Sequence, residues 1–232
     1  MMINTNEIFS RFTMMLDEKQ TNNLFNSSII VFGVGGVGAA VANMLVRSGI
    51  QSIAVVDFDK IDITNINRQL IADTTNIGML KVDEIEKQLK KYNPDLNIVK
   101  YPLKLDQDTI DCINFEKYNY IVDCIDDINA KKLLIKKAKD LNIPILCAMG
   151  AGNRYKDIPQ FEIADISKTS YDKIAKILRK FCSQERIKKL TVCYTKQIPM
   201  KFDCNIIGSV VYYPVNMASV ICAKVINDII KG

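Results

Sequence analysis

Short apolar runs alternate with longer amphipathic segments through the first 150 residues. Five apolar runs predict strands, at residues 29–32, 52–56, 96–99, 120–122 and 145–148. Three segments with apolar residues three or four positions apart predict helices, at residues 37–48, 80–91 and 129–141. The predicted solvent side of the last helix carries Lys131, Lys132, Lys136 and Lys139. Strands buried on both faces that alternate with helices indicate an α/β fold with a doubly wound, mostly parallel sheet.

The pattern changes after Gly152. A short strand is predicted at 161–164 and a basic helix at about 171–181. Residues 205–223 are nineteen uncharged positions, but Gly208 and Pro214 favour a buried loop and then a core helix over a membrane span. Because no Gly/Ser-rich linker separates the two parts, we expect a single domain over 1–232, with a core at 1–152 and a C-terminal strand and helix elaboration at 153–232.

The amino-acid composition excludes several kinds of catalytic and metal site. The chain has no histidine, which removes the commonest general base and metal ligand. Its seven cysteines form no C-x-x-C pair, so we expect reduced thiols in the cytoplasm and no zinc site. The N-terminus lacks the apolar core of a signal peptide. The net charge is +5, but residues 165–201 alone carry +7.

A glycine-rich motif, Gly33-Val34-Gly35-Gly36-Val37-Gly38, lies directly between a predicted strand and a predicted helix. Glycine lets the backbone pass close to a phosphate, and free N–H groups at the start of a helix attract an anion. At the end of the second strand, Asp57 lies where an acidic side chain binds ribose hydroxyls. These features predict a nucleotide site.

Two basic residues favour a triphosphate over a dinucleotide. Arg68 lies in the segment Thr64-Asn65-Ile66-Asn67-Arg68-Gln69, and Lys81 lies near the start of the second predicted helix. A triphosphate has enough negative charge to attract both, although either residue alone also fits a solvated charge at a helix start. Asp126 follows a strand and can hold a metal ion, whereas Asp127 is the better candidate for capping the next helix.

These residues resemble the ThiF, MoeB and HesA superfamily of adenylating enzymes over about the first 150 residues. The resemblance implies a Rossmann-like domain that binds ATP and Mg²⁺, with the metal at Asp126, through matching residues Gly35, Asp57, Asn67, Arg68, Lys81 and Asp126. The predicted nucleotide-binding set is completed by Gly33, Gly36, Gly38, Asp59, Asn65 and Gln69. Arg68, Lys81 and Asp126 are the expected catalytic residues. The resemblance also implies a homodimer, in which an N-terminal arginine, here Arg11, reaches the ATP of the partner subunit.

Within the superfamily, the second half resembles tRNA threonylcarbamoyladenosine dehydratases. Segments 148–152, 164–169 and 172–179 follow one another at the spacing seen there, and the match covers nearly the whole chain. It implies an ATP-dependent dehydratase that adenylates the threonyl carboxylate of threonylcarbamoyladenosine in tRNA and closes a ring with release of AMP. We expect the phosphates of the tRNA to lie along a basic strip that comprises Lys173, Lys176, Arg179, Lys180, Arg186, Lys188 and Lys189.

Two alternatives stay open. The first is adenylation of the C-terminal glycine of a ubiquitin-like sulfur-carrier protein, with a sulfur-relay partner protein. The second is a nucleotide-binding scaffold without activity. Cys193 lies where some relatives place a thioester-forming or persulfide cysteine, but ring closure within the substrate needs no protein nucleophile. We therefore expect Cys193 to be a packing residue.

Overall fold

The computed structural model describes residues 5–203 and 206–232, so Cys204 and Asn205 lie outside the described residues. Within these ranges the strands are β1 Ser28–Phe32, β2 Ser52–Val56, β3 Asn97–Tyr101, β4 Tyr120–Asp123, β5 Ile145–Ala148, β6 Glu162–Asp165 and β7 Thr191–Tyr194. The helices are α1 Thr5–Ile8, α2 Ser10–Thr13, α3 Glu18–Phe25, α4 Gly38–Arg47, α5 Lys81–Lys90, α6 Ile128–Asp140, α7 Lys173–Gln184 and α8 Tyr212–Lys231.

The strands form one sheet in the order β3-β2-β1-β4-β5-β7-β6. Every neighbouring pair is parallel except β6 and β7. The chain leaves β1 towards β2 on one side and later returns to β4 on the other, so the strand order reverses between β1 and β4. Loops diverge at such a point and leave a crevice at the carboxyl edge of the sheet. The predicted doubly wound, mostly parallel fold is confirmed.

Alternating side chains divide the core between the two faces of the sheet. Ile29 and Val31 pack on the face covered by α3, α4, α5 and α8. Ile30 and Phe32 pack on the opposite face, beneath α6 and α7. This alternation is what period-2 side chains produce in a central strand, and it explains why β1 is apolar at nearly every position.

Three details differ from the sequence predictions. β3 is an edge strand whose side chains are exposed or only half-buried, so not every strand is buried on both faces. β7 was not predicted, and it lies between β5 and β6. Lys131 was placed on the solvent side of its helix, which is wrong, because its side chain is fully buried against Asp123.

The apolar C-terminal segment is partly as predicted. A core helix is present as α8, which starts at Tyr212 and contains Pro214 in its first turn. The expected buried loop is wrong, because Ile206 and Ile207 are 78% and 70% exposed. No described helix has the length and apolar character needed to cross a membrane.

Candidate functional site

A cavity of about 590 Å³ opens at the carboxyl edge of the sheet, where the strand order reverses. The loops after β1, β2, β4 and β5 form its walls, together with the segment that leads into α8. We call it the nucleotide cavity. The predicted site residues in its wall are Gly33, Gly35, Gly36, Asp57, Asp59, Asn65, Arg68, Gln69, Lys81 and Asp126. Three other predicted residues, Arg11, Gly38 and Asn67, are not part of the wall.

The glycine motif places backbone atoms without side chains at the wall of the cavity. Gly33 has φ +82°, and a Cβ there would lie 2.7 Å from the carbonyl oxygen of Cys124. A Cβ on Gly35 would meet nothing closer than 3.9 Å, so this residue borders open space. The N–H groups of Gly35 and Gly36 donate to no other residue that the structure describes. Unpaired donors just before α4 form an anion-binding surface.

Gly38 lies behind the cavity wall, where its lack of a side chain matters for packing. It is the first residue of α4, and a Cβ on it would lie 1.8 Å from the carbonyl oxygen of Gly33. The absence of a side chain therefore lets α4 pack closely against the end of β1. Gly38 shapes the nucleotide cavity from outside its wall.

Asp57 joins the glycine motif to the end of β2. Its Oδ2 accepts a hydrogen bond of 2.6 Å from the N–H of Val34, and its Oδ1 accepts one of 2.8 Å from the N–H of Asp59. Burial raises the pKa of Asp57, and Lys81 together with the two N–H groups opposes this shift. Each carboxylate oxygen keeps a second lone pair that can accept from a ribose hydroxyl.

A short pairing of two loop segments positions Lys81. The N–H of Ile61 donates to the carbonyl of Met79 at 2.8 Å, and the N–H of Lys81 donates to the carbonyl of Asp59 at 3.0 Å. The Lys81 Nζ then lies 2.7 Å from Asp59 Oδ2. The Lys81 side chain is 7% exposed and that of Asp59 is 48% exposed. The cation is thus fixed in the wall by a carboxylate that water still reaches.

Arg68 is held in the cavity wall by its own segment. Its Nη1 donates to the carbonyl of Thr64 and, at 3.1 Å, to Asn67 Oδ1. The amide of Asn67 donates to the carbonyl of Ser209 at 2.9 Å. Asn67 therefore ties Arg68 to the segment before α8. Gln69 is buried in the wall, and its Oε1 has no hydrogen-bond partner among the described residues.

The loop after β4 presents two adjacent carboxylates with different roles. Asp127 Oδ1 accepts from the N–H of Ala130 at 2.8 Å, so Asp127 caps α6 as predicted. Asp126 is exposed in the cavity wall. Residues 5–203 and 206–232 hold no group of three or more side chains arranged to bind a metal. A Mg²⁺ ion at Asp126 would take its other ligands from phosphate oxygens and water, which suits this ion.

Comparison with known proteins places this site in a family. A family model described as "ThiF family" matches residues 9–156. The chain belongs to the ThiF family. The tRNA threonylcarbamoyladenosine dehydratase of Bacillus subtilis (strain 168) is 37% identical over 193 residues, which cover 83% of this chain and 76% of that protein.

Two further proteins are similar to this chain, one over about half of its length and the other over nearly all of it. The adenylyltransferase and sulfurtransferase UBA4 of Saccharomyces cerevisiae (strain ATCC 204508 / S288c) is 35% identical over 129 residues, or 56% of this chain and 29% of UBA4. The crystal structure of the Escherichia coli dehydratase TcdA in complex with ATP has a TM-score of 0.90 at 24% identity. It covers 97% of this chain and 95% of TcdA, which establishes the shared fold.

Sequence reasoning missed a buried ion pair beneath the cavity of this ThiF-family protein. Lys131 Nζ donates to Asp123 Oδ2 and to the carbonyl of Ala148, each at 2.9 Å. Asp123 Oδ1 accepts from the N–H of Ile125 at 3.1 Å. The pair thus connects β4, β5 and the loop that presents Asp126. The spacing of Asp123 and Lys131, across the β4–α6 turn, was the available signal.

The loop after β3 was also missed. Leu103 and Leu105 line the nucleotide cavity, and the exposed Lys104 lies between them in the wall. The loop after β3 leaves the same carboxyl edge of the sheet where the crevice lies, so the direction of β3 in the parallel sheet was the signal.

Cys193 lies in the core. It is fully buried on β7, with its Sγ 3.9 Å from the carbonyl oxygen of Met217 on α8. Burial raises the pKa of its thiol to about 12. A buried protonated thiol is a poor nucleophile, and the residue is not part of the nucleotide-cavity wall. Its place fits the expected packing role.

Proposed function

We propose that this protein is an ATP-dependent dehydratase that acts on threonylcarbamoyladenosine in tRNA. It adenylates the threonyl carboxylate and then closes a ring with release of AMP. The observation that carries the proposal is the extent of the similarity to the Bacillus subtilis dehydratase, which spans 83% of the chain and therefore continues beyond the nucleotide-binding residues.

The carrier-protein alternative has less support. Similarity to UBA4 spans 56% of the chain, which is the range expected when only the nucleotide chemistry is shared. The buried position of Cys193 also makes this residue unsuited to a thioester or persulfide step. We therefore infer tRNA, rather than a carrier protein, as the substrate.

Features of the nucleotide cavity fit ATP as the co-substrate. Its volume of about 590 Å³ is in the range of small-molecule sites. The free N–H groups of Gly35 and Gly36 offer donors to phosphate oxygens. Arg68 and Lys81 add positive charge in the wall, and Asp57 has acceptors for a ribose.

The chemistry follows from this charge distribution. A threonyl carboxylate oxygen attacks the α-phosphorus of ATP, and the bond to pyrophosphate breaks. Arg68 and Lys81 stabilise the negative charge that grows on the phosphates, and Mg²⁺ held at Asp126 would neutralise further charge. The neighbouring carbamoyl group of the same substrate then attacks the acyl carbon and expels AMP. Because the attacking carbamoyl group and the acyl carbon belong to one molecule, the protein needs only to orient them and supplies no nucleophile of its own.

We further propose the assembly that this function uses. The protein acts as a single domain over 1–232, because β6 and β7 extend the same sheet as β1 to β5. We propose the cytoplasm as its location, where its tRNA substrate is found. It forms a homodimer in which Arg11 reaches the nucleotide of the partner subunit. Arg11 is exposed on α2 and is not part of the wall of its own nucleotide cavity, which is compatible with that role.

Mass spectrometry of the modified nucleoside tests the proposal. The protein is incubated with ATP, Mg²⁺ and tRNA that carries threonylcarbamoyladenosine, and the nucleosides are then analysed. We expect the modified nucleoside to lose one water, with one AMP formed for each conversion. Unchanged nucleoside mass in the presence of bound ATP would refute the dehydratase function.

A further inference from the structure

A second cavity lies at the opposite edge of the sheet. It has a volume of about 400 Å³ and lies between the end of α6 and the turn that leads into β7. We call it the basic cavity. Its wall comprises Lys136, Lys139, Asp140, Glu185, Arg186, Ile187, Lys188 and Lys189. Since α6 starts at the carboxyl edge and runs for 13 residues, about 20 Å separates its two ends.

The wall of the basic cavity has a clear excess of positive charge. Five of its side chains are cationic and two are carboxylates. Lys136 lies 3.4 Å from Glu185, in a pair whose side chains are both more than one third exposed. Lys139, Arg186 and Lys188 form no salt bridge within residues 5–203 and 206–232. Cations without partners leave the cavity ready for an anionic ligand.

The turn on one side of the basic cavity has a defined conformation. Arg186 has φ 55°, a value that glycine usually adopts after a helix. The N–H of Ile187 donates to the carbonyl of Cys182 at 2.8 Å, which closes the end of α7 as a Schellman motif. The side chains of Arg186, Lys188 and Lys189 are therefore presented from a fixed turn.

Helix α7 connects the basic cavity to the nucleotide cavity. Its cap, Asp172, accepts from the N–H of Gly150 in the nucleotide-cavity wall at 2.9 Å. Lys173, Lys176 and Lys180 are exposed along one side of α7. The helix has 12 residues and spans about 18 Å. A chain of cations thus leads from one cavity to the other.

We propose that the basic cavity binds phosphate groups of the RNA backbone, on the nucleotides that flank the modified base. This inference rests on the proposed function. The modified base lies in the nucleotide cavity, and the flanking backbone follows α7 to the basic cavity. The wall contains one apolar side chain, that of Ile187, so an apolar peptide or a lipid chain would bury little surface there.

Two double variants test the inference, one for each side of the basic cavity. Lys136→Gln/Lys139→Gln alters α6, and Lys188→Gln/Lys189→Gln alters the turn. The matched control, Lys19→Gln/Lys231→Gln, removes the same charge from exposed lysines of α3 and α8. Binding of tRNA is measured by fluorescence anisotropy over a range of salt concentrations, and thermal unfolding verifies the fold.

Each cavity variant is expected to weaken tRNA binding about tenfold at low salt. The slope of log affinity against log salt should fall by about 2, because two phosphate contacts are lost. The control should keep the slope of the unaltered protein. The inference is overturned if both cavity variants match the control, or if calorimetry finds a second ATP per chain that the cavity variants lose.

These binding measurements, combined with mass spectrometry of the modified nucleoside, separate this inference from the proposed function. If the unaltered protein dehydrates modified tRNA while the cavity variants keep its salt slope, the RNA surface is wrong and the function stands. If the cavity variants lose the slope but the unaltered protein dehydrates no tRNA, the surface stands and the function is wrong.

Discussion

Two lysine–aspartate pairs occupy equivalent places at the carboxyl edge of the sheet but have opposite surroundings. Lys81 pairs with Asp59 after β2 at 2.7 Å, and Lys131 pairs with Asp123 at the end of β4 at 2.9 Å. The side chain of Asp59 is 48% exposed, whereas both members of the second pair have no exposed surface. The N–O distances of the two pairs are similar, but their exposure to solvent differs.

The difference separates a ligand-binding pair from a structural one. Water can solvate the Asp59 carboxylate when Lys81 binds a phosphate instead, so this exchange of partners costs little free energy. Asp123 has no such replacement, and its loss of Lys131 would leave a buried, uncompensated charge. Burial lowers the pKa of Lys131, but the carboxylate of Asp123 outweighs this effect, so the net pKa lies above its usual value. Lys131 therefore stays charged and fixes the cavity floor.

The largest expected effect is on stability at the buried pair. Lys131→Met should lower the free energy of unfolding by about 3–5 kcal/mol, because Asp123 remains buried without a cation. For a domain of this size, the thermal midpoint should fall by about 10 °C. Lys131→Met/Asp123→Leu should recover part of the loss. A change below about 1 kcal/mol in denaturant unfolding would contradict the assigned role.

The same substitution at the other pair should affect activity instead. Lys81→Met is expected to lower the rate of pyrophosphate release about 10²- to 10³-fold, since a cation that stabilises phosphate charge is lost. The free energy of unfolding should change much less than in Lys131→Met, because Asp59 is half-solvated. Equal destabilisation by the two substitutions would remove the distinction between the pairs.

Asp126 and Asp127, in the loop after β4, provide a second comparison between a ligand-binding residue and a structural one. Asp126→Asn should reduce pyrophosphate release and leave thermal stability intact, because Asp126 lies exposed in the cavity wall. Asp127→Ala should instead cost about 1 kcal/mol of stability through loss of the helix cap. Titration with Mg²⁺ provides the control, because only Asp126→Asn should raise the concentration needed for half-maximal rate.

The smallest effect on activity is expected at the core cysteine. Cys193→Ala should lower stability by about 1 kcal/mol, since a small buried side chain is truncated. Its rate of pyrophosphate release should match that of the unaltered protein. Complete loss of activity with an unchanged thermal midpoint would instead favour the carrier-protein alternative.

The nucleotide cavity could be predicted from the sequence largely because its residues are local. The glycine motif and Asp57 lie directly after a strand, Asp126 lies in the loop after β4, and parallel strands bring such ends together. Lys131 could not be placed in this way. Amphipathic spacing puts a lysine on the polar side of α6, and only the position of Asp123 across the turn explains its burial.

The second half was harder to predict because its side chains are placed by contacts with segments distant in sequence. Arg179 was assigned to the RNA strip, but its guanidinium donates to the carbonyl of Thr169 at 2.9 Å and to the Thr169 hydroxyl. Ile207 was expected in a buried loop, yet it lies at the mouth of the nucleotide cavity. Both outcomes depend on contacts with distant segments that a local pattern does not contain.

Pyrophosphate release with three matched substrates tests the central claim most directly. The protein receives ATP and Mg²⁺ with tRNA that carries threonylcarbamoyladenosine, with the same tRNA lacking the modification, or with a ubiquitin-like carrier protein that ends in glycine. We expect release with the modified tRNA only, and loss of that release in Lys81→Met. Release that depends on the carrier protein, with none from modified tRNA, would contradict it.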